Sequence, residues 1–242
     1  MRPRRAAFAA FALLALAAFA GLVALGTWQL ERRAWKHDLI ARVDARVHAA
    51  PVAPPARERW SRVDAASDEY RHVRTSGVFL HDRETLVQAV TALGSGFWVM
   101  TPLRTADGTL VLVNRGFVPP EARERAARRA GEPEGPAIVT GLLRVTEPGG
   151  GFLRNNDAAG ERWFSRDVQA IAAARGLPDV APYFIDAEAA PNEATRRWPA
   201  GGLTVISFAD NHLVYALTWY ALALMVAAAA WRLLRPKQDA AR

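Results

Sequence analysis

From Leu213 to Trp231 nineteen residues pass without a charged side chain, and from Ala6 to Leu30 twenty-five do the same. An α-helix rises ~1.5 Å per residue, so the C-terminal run alone reaches ~28 Å, close to the ~30 Å hydrocarbon core of a bilayer. Two such segments near the ends of a 242-residue chain leave room for one ordinary domain between them. The flanks agree. Tyr215, Trp219 and Tyr220 open the C-terminal run and Trp231 closes it, and aromatic rings favour the membrane interface. Arg232, Arg235 and Lys237 follow at once; Arg2, Arg4 and Arg5 precede the N-terminal run.

The N-terminal run has a competing reading as a cleavable signal, with Ala18-Phe19-Ala20 as the small-x-small site. Alanine is so common there that the match carries little. The apolar stretch also continues to Leu25 and Trp28, longer than a signal core, which favours an uncleaved anchor.

The net charge of +7 raises the question of nucleic acid until the charge is located. Residues 1–30 carry three arginines and no acid; residues 31–210 carry 24 basic and 23 acidic groups; residues 211–242 carry four and one. The excess lies on the tails, as at the cytoplasmic face of a membrane, and leaves no basic groove for nucleic acid. The first helix alone does not obey the positive-inside rule, because Arg32, Arg33, Lys36, Arg42 and Arg46 follow it; the short basic C-terminal tail is the better witness. Both termini are therefore expected in the cytoplasm, with the middle outside it. There is no cysteine and there are three methionines, so neither a disulfide frame nor a thioether copper site is expected.

The expected architecture is an α+β membrane protein: a tail at 1–5, a first transmembrane helix at 6–28, an extracytoplasmic antiparallel-β-rich domain with side helices at 29–209, a second transmembrane helix at 210–234 and a tail at 235–242. Trp35, Leu39, Val43 and Val47 fall four apart and extend a helix to His48, which Pro51, Pro54 and Pro55 end. Strands are predicted over Tyr70–Leu80, Thr85–Leu93, Phe97–Leu103, Leu110–Val118 and Ala137–Val145, with Gly94-Ser95-Gly96 and Ala106-Asp107-Gly108 as turns. Glu121–Ala130 reads as a solvated helix whose arginines are offset by Glu121 and Glu124. Trp163–Ser165, Tyr183–Asp186 and Leu203–Phe208 read as short strands, and Asp167 caps a helix over Val168–Ala174.

Chemistry is sparse. His72 and His81 lie nine apart, which puts them on opposite faces of a regular strand and argues against a shared metal. His37 and His48 read as solvated. No nucleophile elbow or phosphate loop is present, so no enzyme is expected. Asn114-Arg115-Gly116 interrupts an apolar strand, either as a functional pair or as a bulge whose arginine meets a buried carboxylate. His212 stands at the mouth of the C-terminal run. An ionisable group at that depth suggests function, whereas the plainer reading makes Asn211 the cap and His212 an interfacial polar residue.

Several stretches in order resemble the Surfeit-locus-one family of cytochrome c oxidase assembly proteins: Gly26-Thr27-Trp28-Gln29-Leu30-Glu31-Arg32-Arg33-Ala34-Trp35-Lys36, Thr101-Pro102-Leu103, Val113-Asn114-Arg115-Gly116-Phe117-Val118-Pro119, Gly141-Leu142-Leu143-Arg144, Trp163-Phe164-Ser165-Arg166-Asp167 and Asn211-His212-Leu213-Val214-Tyr215-Ala216-Leu217-Thr218-Trp219-Tyr220. Phe117 stands where that family often has Trp. The resemblance implies a respiratory-chain assembly factor or chaperone in the cell inner (plasma) membrane, with a periplasmic domain. It implies transient binding of haem a and its delivery to the largest oxidase subunit, alongside other assembly factors. It makes His212 the haem-iron ligand, and Trp28, Trp35 and Trp219 either porphyrin-packing residues or interfacial anchors. A cofactor-free scaffold that holds an immature oxidase subunit is the alternative.

The anchor reading has a direct check. After alkaline carbonate extraction the full-length protein is expected in the membrane pellet with its N-terminal run intact; a chain beginning at Gly21 that washes off would exclude it.

Overall fold

The computed structural model describes residues 2–189, 198–206, 208 and 210–235. The chain divides into a helical unit, residues 1–42 with 207–242, and a domain, Val43–Ile206.

The helical unit holds α1 (Arg2–Val47, whose last turn belongs to the domain) and α3 (His212–Leu234). The helix predicted after Trp35 is a direct continuation of the first apolar segment, with no break at the end of the uncharged run. Both helices are long and apolar enough to cross a membrane. They are not core helices of a water-soluble fold, because their apolar side chains face outward: Leu14 is 70% exposed and Leu224 68%. Such a surface suits hydrocarbon, where a helix satisfies its own backbone hydrogen bonds. The less exposed positions recur every three or four residues: Ala12, Ala15, Phe19, Val23, Gly26, Gln29 and Arg33 on α1, and His212, Ala216, Trp219, Ala223, Val226 and Ala230 on α3. This 3-4 spacing is a coiled-coil-like seam, and its small residues let the two backbones approach.

In the domain six strands, β1 (His72–Phe79), β2 (Thr85–Thr91), β3 (Gly94–Thr105), β4 (Leu110–Val118), β5 (Pro136–Val145) and β6 (Val180–Ala187), form one sheet in the order β1-β5-β6-β4-β3-β2. A further pairing of β1 with the end of β3 closes five of them into a small barrel. Closure needs a close approach where β1 meets β3. An ideal Cβ at Gly77 would stand 2.3 Å from the Arg104 carbonyl oxygen, so only glycine fits. The sheet is antiparallel-rich as expected, except that β4 and β6 run parallel.

Strand β4 shows how the layers are built. Its run Leu110-Val111-Leu112-Val113 is buried on both faces. Val111 and Val113 point into the barrel with Val73, Leu103, Val139, Leu143, Tyr183 and Ile185. Leu110 and Leu112 point outward and are covered by Val168 and Ile171 of α2 (Val168–Ala174), with Trp163, Met100 and Phe184. Asp167 caps α2 as expected, accepting from the Ala170 amide at 3.1 Å.

Other expectations change. Gly94-Ser95-Gly96 lies inside β3 rather than at the turn. Glu121–Ala130 is two short 3-10 segments, Pro120–Ala122 and Arg125–Gly131, and Arg128 is buried there against Glu84. Its arginines look away from their sequence neighbours, Arg125 to Glu132 and Arg128 to Glu84. Trp163 forms only an isolated bridge with Val87, and of the strand predicted over Leu203–Phe208, residues 203–206 and 208 form none while 207 lies outside the described residues.

Candidate functional site

Two polar constellations stand out, one in each unit. In the domain, Asn114 continues the outward face of β4 beyond Leu112 and pairs in register with Asp186 of β6. The Asp186 carboxylate is buried and accepts from Asn114 Nδ2 at 2.8 Å, Arg144 at 2.9 Å, Arg166 at 3.0 Å and Thr204 Oγ1 at 3.1 Å. Glu69 binds Arg144 Nε at 2.6 Å and Glu147 binds Arg166 Nε at 3.0 Å. Burial penalises the Arg144 cation, but Asp186 and then Glu69 outweigh that and hold its pKa above the ordinary arginine value. The Arg144 and Arg166 guanidinium groups also lie over Tyr70 and Phe184, at 4.9 and 4.7 Å from the ring centroids. Every charge here is paired, so the network is a structural clamp.

The strand interruption at 114–116 is a bulge: between the pairs Trp98–Phe117 and Met100–Asn114, β4 carries one residue more than β3, and Gly116 takes a φ of 127°. The residue that meets the buried carboxylate is Asn114, however, not Arg115. Arg115 turns to a separate cluster, with one nitrogen 3.3 Å from His81 Nδ1 and another donating to the Gly131 carbonyl at 3.2 Å. Burial and then the Arg115 charge lower the His81 pKa below the ordinary 6.5, against the opposing pull of Glu132. His72 lies apart from it, bonded to the Ala49 carbonyl and paired with Glu188. Among the described residues no cluster of three or more His, Cys, Asp or Glu side chains is placed to hold a metal ion.

In the helical unit the antiparallel helices bring His212 to Gln29: His212 Nδ1 lies 2.8 Å from Gln29 Oε1. Asn211 sits at the N-cap without a side-chain cap bond; Asp210 takes that part and accepts from the His212 amide at 3.2 Å. The other Asp210 oxygen meets His37 Nε2 at 2.7 Å and lies 3.4 Å from Arg33 Nε. His37, expected as solvated, is exposed but paired. Deeper along the seam, Tyr220 OH lies 3.2 Å from Thr27 Oγ1, and its ring covers Gly26 so closely that a Cβ there would stand 2.7 Å away.

Of the four residues expected at a cofactor site, His212 and Trp219 share the seam face of α3, two turns apart and both half-buried. Trp28 and Trp35 instead share an exposed face of α1, at 53% and 50% exposure, with the Arg32 guanidinium 4.2 Å above the Trp35 ring. Gln29 belongs to no site motif, and its one local signal is that it is one of only two polar uncharged side chains between Ala6 and Leu30, with Thr27. Among the described residues His212 Nε2 has no hydrogen-bond or charge partner, so this imidazole has one nitrogen held and one available.

Asp186→Ala leaves Arg144 and Arg166 buried without their shared counter-charge and is expected to cost ~3–5 kcal/mol, read as a lowered unfolding midpoint by tryptophan fluorescence. The folded state also disfavours protonated His81, so it binds fewer protons than the unfolded chain. Stability is therefore expected to fall as pH drops from 6.5 through the lower folded-state value of His81, with Arg115, Arg125 and Glu132 around it. His81→Gln should flatten that part of the stability profile.

A family model described as the SURF1 family matches residues 16–224. Surfeit locus protein 1 of Rattus norvegicus is 36% identical over 214 residues, covering 82% of this chain and 67% of that protein. The Homo sapiens protein of the same name is 36% identical over 215 residues, covering 82% and 69%. A SURF1-like protein of Monosiga brevicollis is 36% identical over 227 residues, covering 88% and 83%. With a family match that takes in part of each apolar helix and the whole barrel between them, and relatives matched over most of the chain, the chain belongs to the SURF1 family.

Proposed function

We propose that this protein is a membrane-anchored, non-enzymatic assembly factor for haem-copper cytochrome c oxidase that binds haem a through His212 and passes it to the largest oxidase subunit. The observation that carries this reading is the state of His212. Its imidazole stands at the start of an apolar helix, with Nδ1 engaged by Gln29 and Nε2 without a partner among the described residues. A neutral imidazole nitrogen is a good axial ligand for haem iron, and an ionisable group at the mouth of an apolar helix suggests function.

The surrounding side chains suit the group. Leu213, Tyr215 and Trp219 give an apolar lining beside His212, and Trp219 is the best placed of the three tryptophans to pack on a porphyrin. Trp28 and Trp35 offer exposed aromatic faces for the interface or for the ring edge. Arg32 and Arg33, about one turn beyond Gln29 on α1, are cations suited to the carboxylates of a porphyrin. When bound, the group would supply the electron-transfer centre that the oxidase needs; this chain's residues would hold it, keep water from it and release it. Both helices would lie in the cell inner membrane, with the tails cytoplasmic and the barrel domain outside, as the basic residues on the tails favour.

A second reading, a cofactor-free scaffold for an immature oxidase subunit, draws on a different observation. The other histidine of the helical unit, His37, is engaged by Asp210, so no second axial ligand is at hand among the described residues.

The readings separate in one experiment. Full-length protein purified from cells that make haem a is expected to carry a haem absorbance band, and His212→Ala is expected to lose it while remaining folded by circular dichroism. A wild-type protein that purifies without haem yet co-isolates with the oxidase subunit would favour the scaffold.

A further inference from the structure

The geometry points to Gln29 as the positioning residue that decides which nitrogen of His212 is available to a ligand, an inference that rests on the haem-binding reading above. An amide oxygen only accepts hydrogen bonds, and with Gln29 Oε1 2.8 Å away the His212 Nδ1 is the nitrogen placed to carry the proton. In a neutral ring the lone pair is then on Nε2, the nitrogen with no partner among the described residues. Histidines that bind metals generally have their second nitrogen held in this way, because the bond fixes the tautomer and the ring's orientation and makes the ligating nitrogen more basic. A backbone carbonyl or a carboxylate commonly plays the part. Here it falls to a side-chain amide on the opposite helix.

Three further contacts support the assignment. The His212 backbone is fixed by the Asp210 carboxylate at 3.2 Å, so the ring leaves the helix from a defined point. The Thr27–Tyr220 contact and the covered face of Gly26 set the spacing of the two helices next to Gln29. Moreover, Gln29 and His212 are both half-buried in a largely apolar seam, where each would lack a partner without the other. Leaving a polar group unpaired there is unfavourable, which favours the bonded pair over either group turned away.

The amide also suits a carrier that must give up its load. A carboxylate in the same place would draw the Nδ1 proton towards itself, give the ring anionic character and strengthen its bond to iron. A neutral amide fixes the tautomer without that effect, so ligation stays moderate. This is the property expected where binding is transient.

The test uses full-length protein in lipid nanodiscs, labelled with 15N-histidine, with His212→Ala to assign the signal. Without haem, wild-type His212 is expected to show a protonated Nδ1 and a bare Nε2, and Gln29→Leu to shift the ring towards the Nε2-protonated form. Titrated with haem a, Gln29→Leu should bind about 10- to 100-fold more weakly than wild type. Gln29→Glu should bind at least as tightly as wild type and lower the reduction potential of the bound haem. A wild-type ring protonated on Nε2, or a Gln29→Leu protein with unchanged tautomer, affinity and spectrum, would overturn the inference. Retention of the haem band by His212→Ala would instead remove His212 as the ligand, while the tautomer measured without haem still decides what Gln29 does.

Discussion

The domain is organised around one carboxylate. Asp186 receives hydrogen bonds from β4, from β5, from the segment before α2 and from the stretch that leaves the barrel at Thr204. None of these contacts is local, the nearest partner being eighteen residues away at Thr204. A buried carboxylate is costly unless its lone pairs are used and its charge is met, and here two arginines and two neutral donors do both. The cations are in turn shared with Glu69 and Glu147, so the cluster is closed on itself. That explains why short polar interruptions occur in strands that are otherwise apolar: they are the ends of one network seen from different parts of the chain.

In the helical unit the problem is the opposite one. The helices present apolar side chains outward and meet along small residues, so little holds their register except the polar groups at one end. The pairs Gln29–His212, Thr27–Tyr220 and His37–Asp210 descend one helix as they ascend the other, and together they admit a single antiparallel alignment. In an apolar surrounding the hydrophobic effect between helices is weak, and such hydrogen bonds with close packing take over its role.

Much of this could be read from the residues. The limits of β4 and of α2 follow from the apolar residues on either side of Asn114-Arg115-Gly116 and from the Asp167 cap, both local signals. The bulge at Arg115-Gly116 was visible as a polar pair followed by glycine. What escaped was partnership across the chain. Arg128 reads as solvated because its stretch is charged and alanine-rich, and only the fold brings Glu84 beneath it. The parallel pairing of β4 with β6 has no local signature, since each strand's alternation is the same in either direction. His212 was legible as an unusual residue, but the significance of Gln29 depends on a contact across 183 positions.

The ring of Tyr220 lies so close to Gly26 that one added carbon would stand 2.7 Å from it. That single missing side chain works as a spacer for everything above it. A methyl group at position 26 would wedge the helices apart one turn below Gln29, and a hydrogen bond tolerates only a few tenths of an ångström before it fails. The imidazole would then be left on its own helix with neither nitrogen held. A change in an uncharged residue that contacts no ligand would thus be felt at the histidine, which makes this glycine as much a part of the histidine's setting as any polar group beside it.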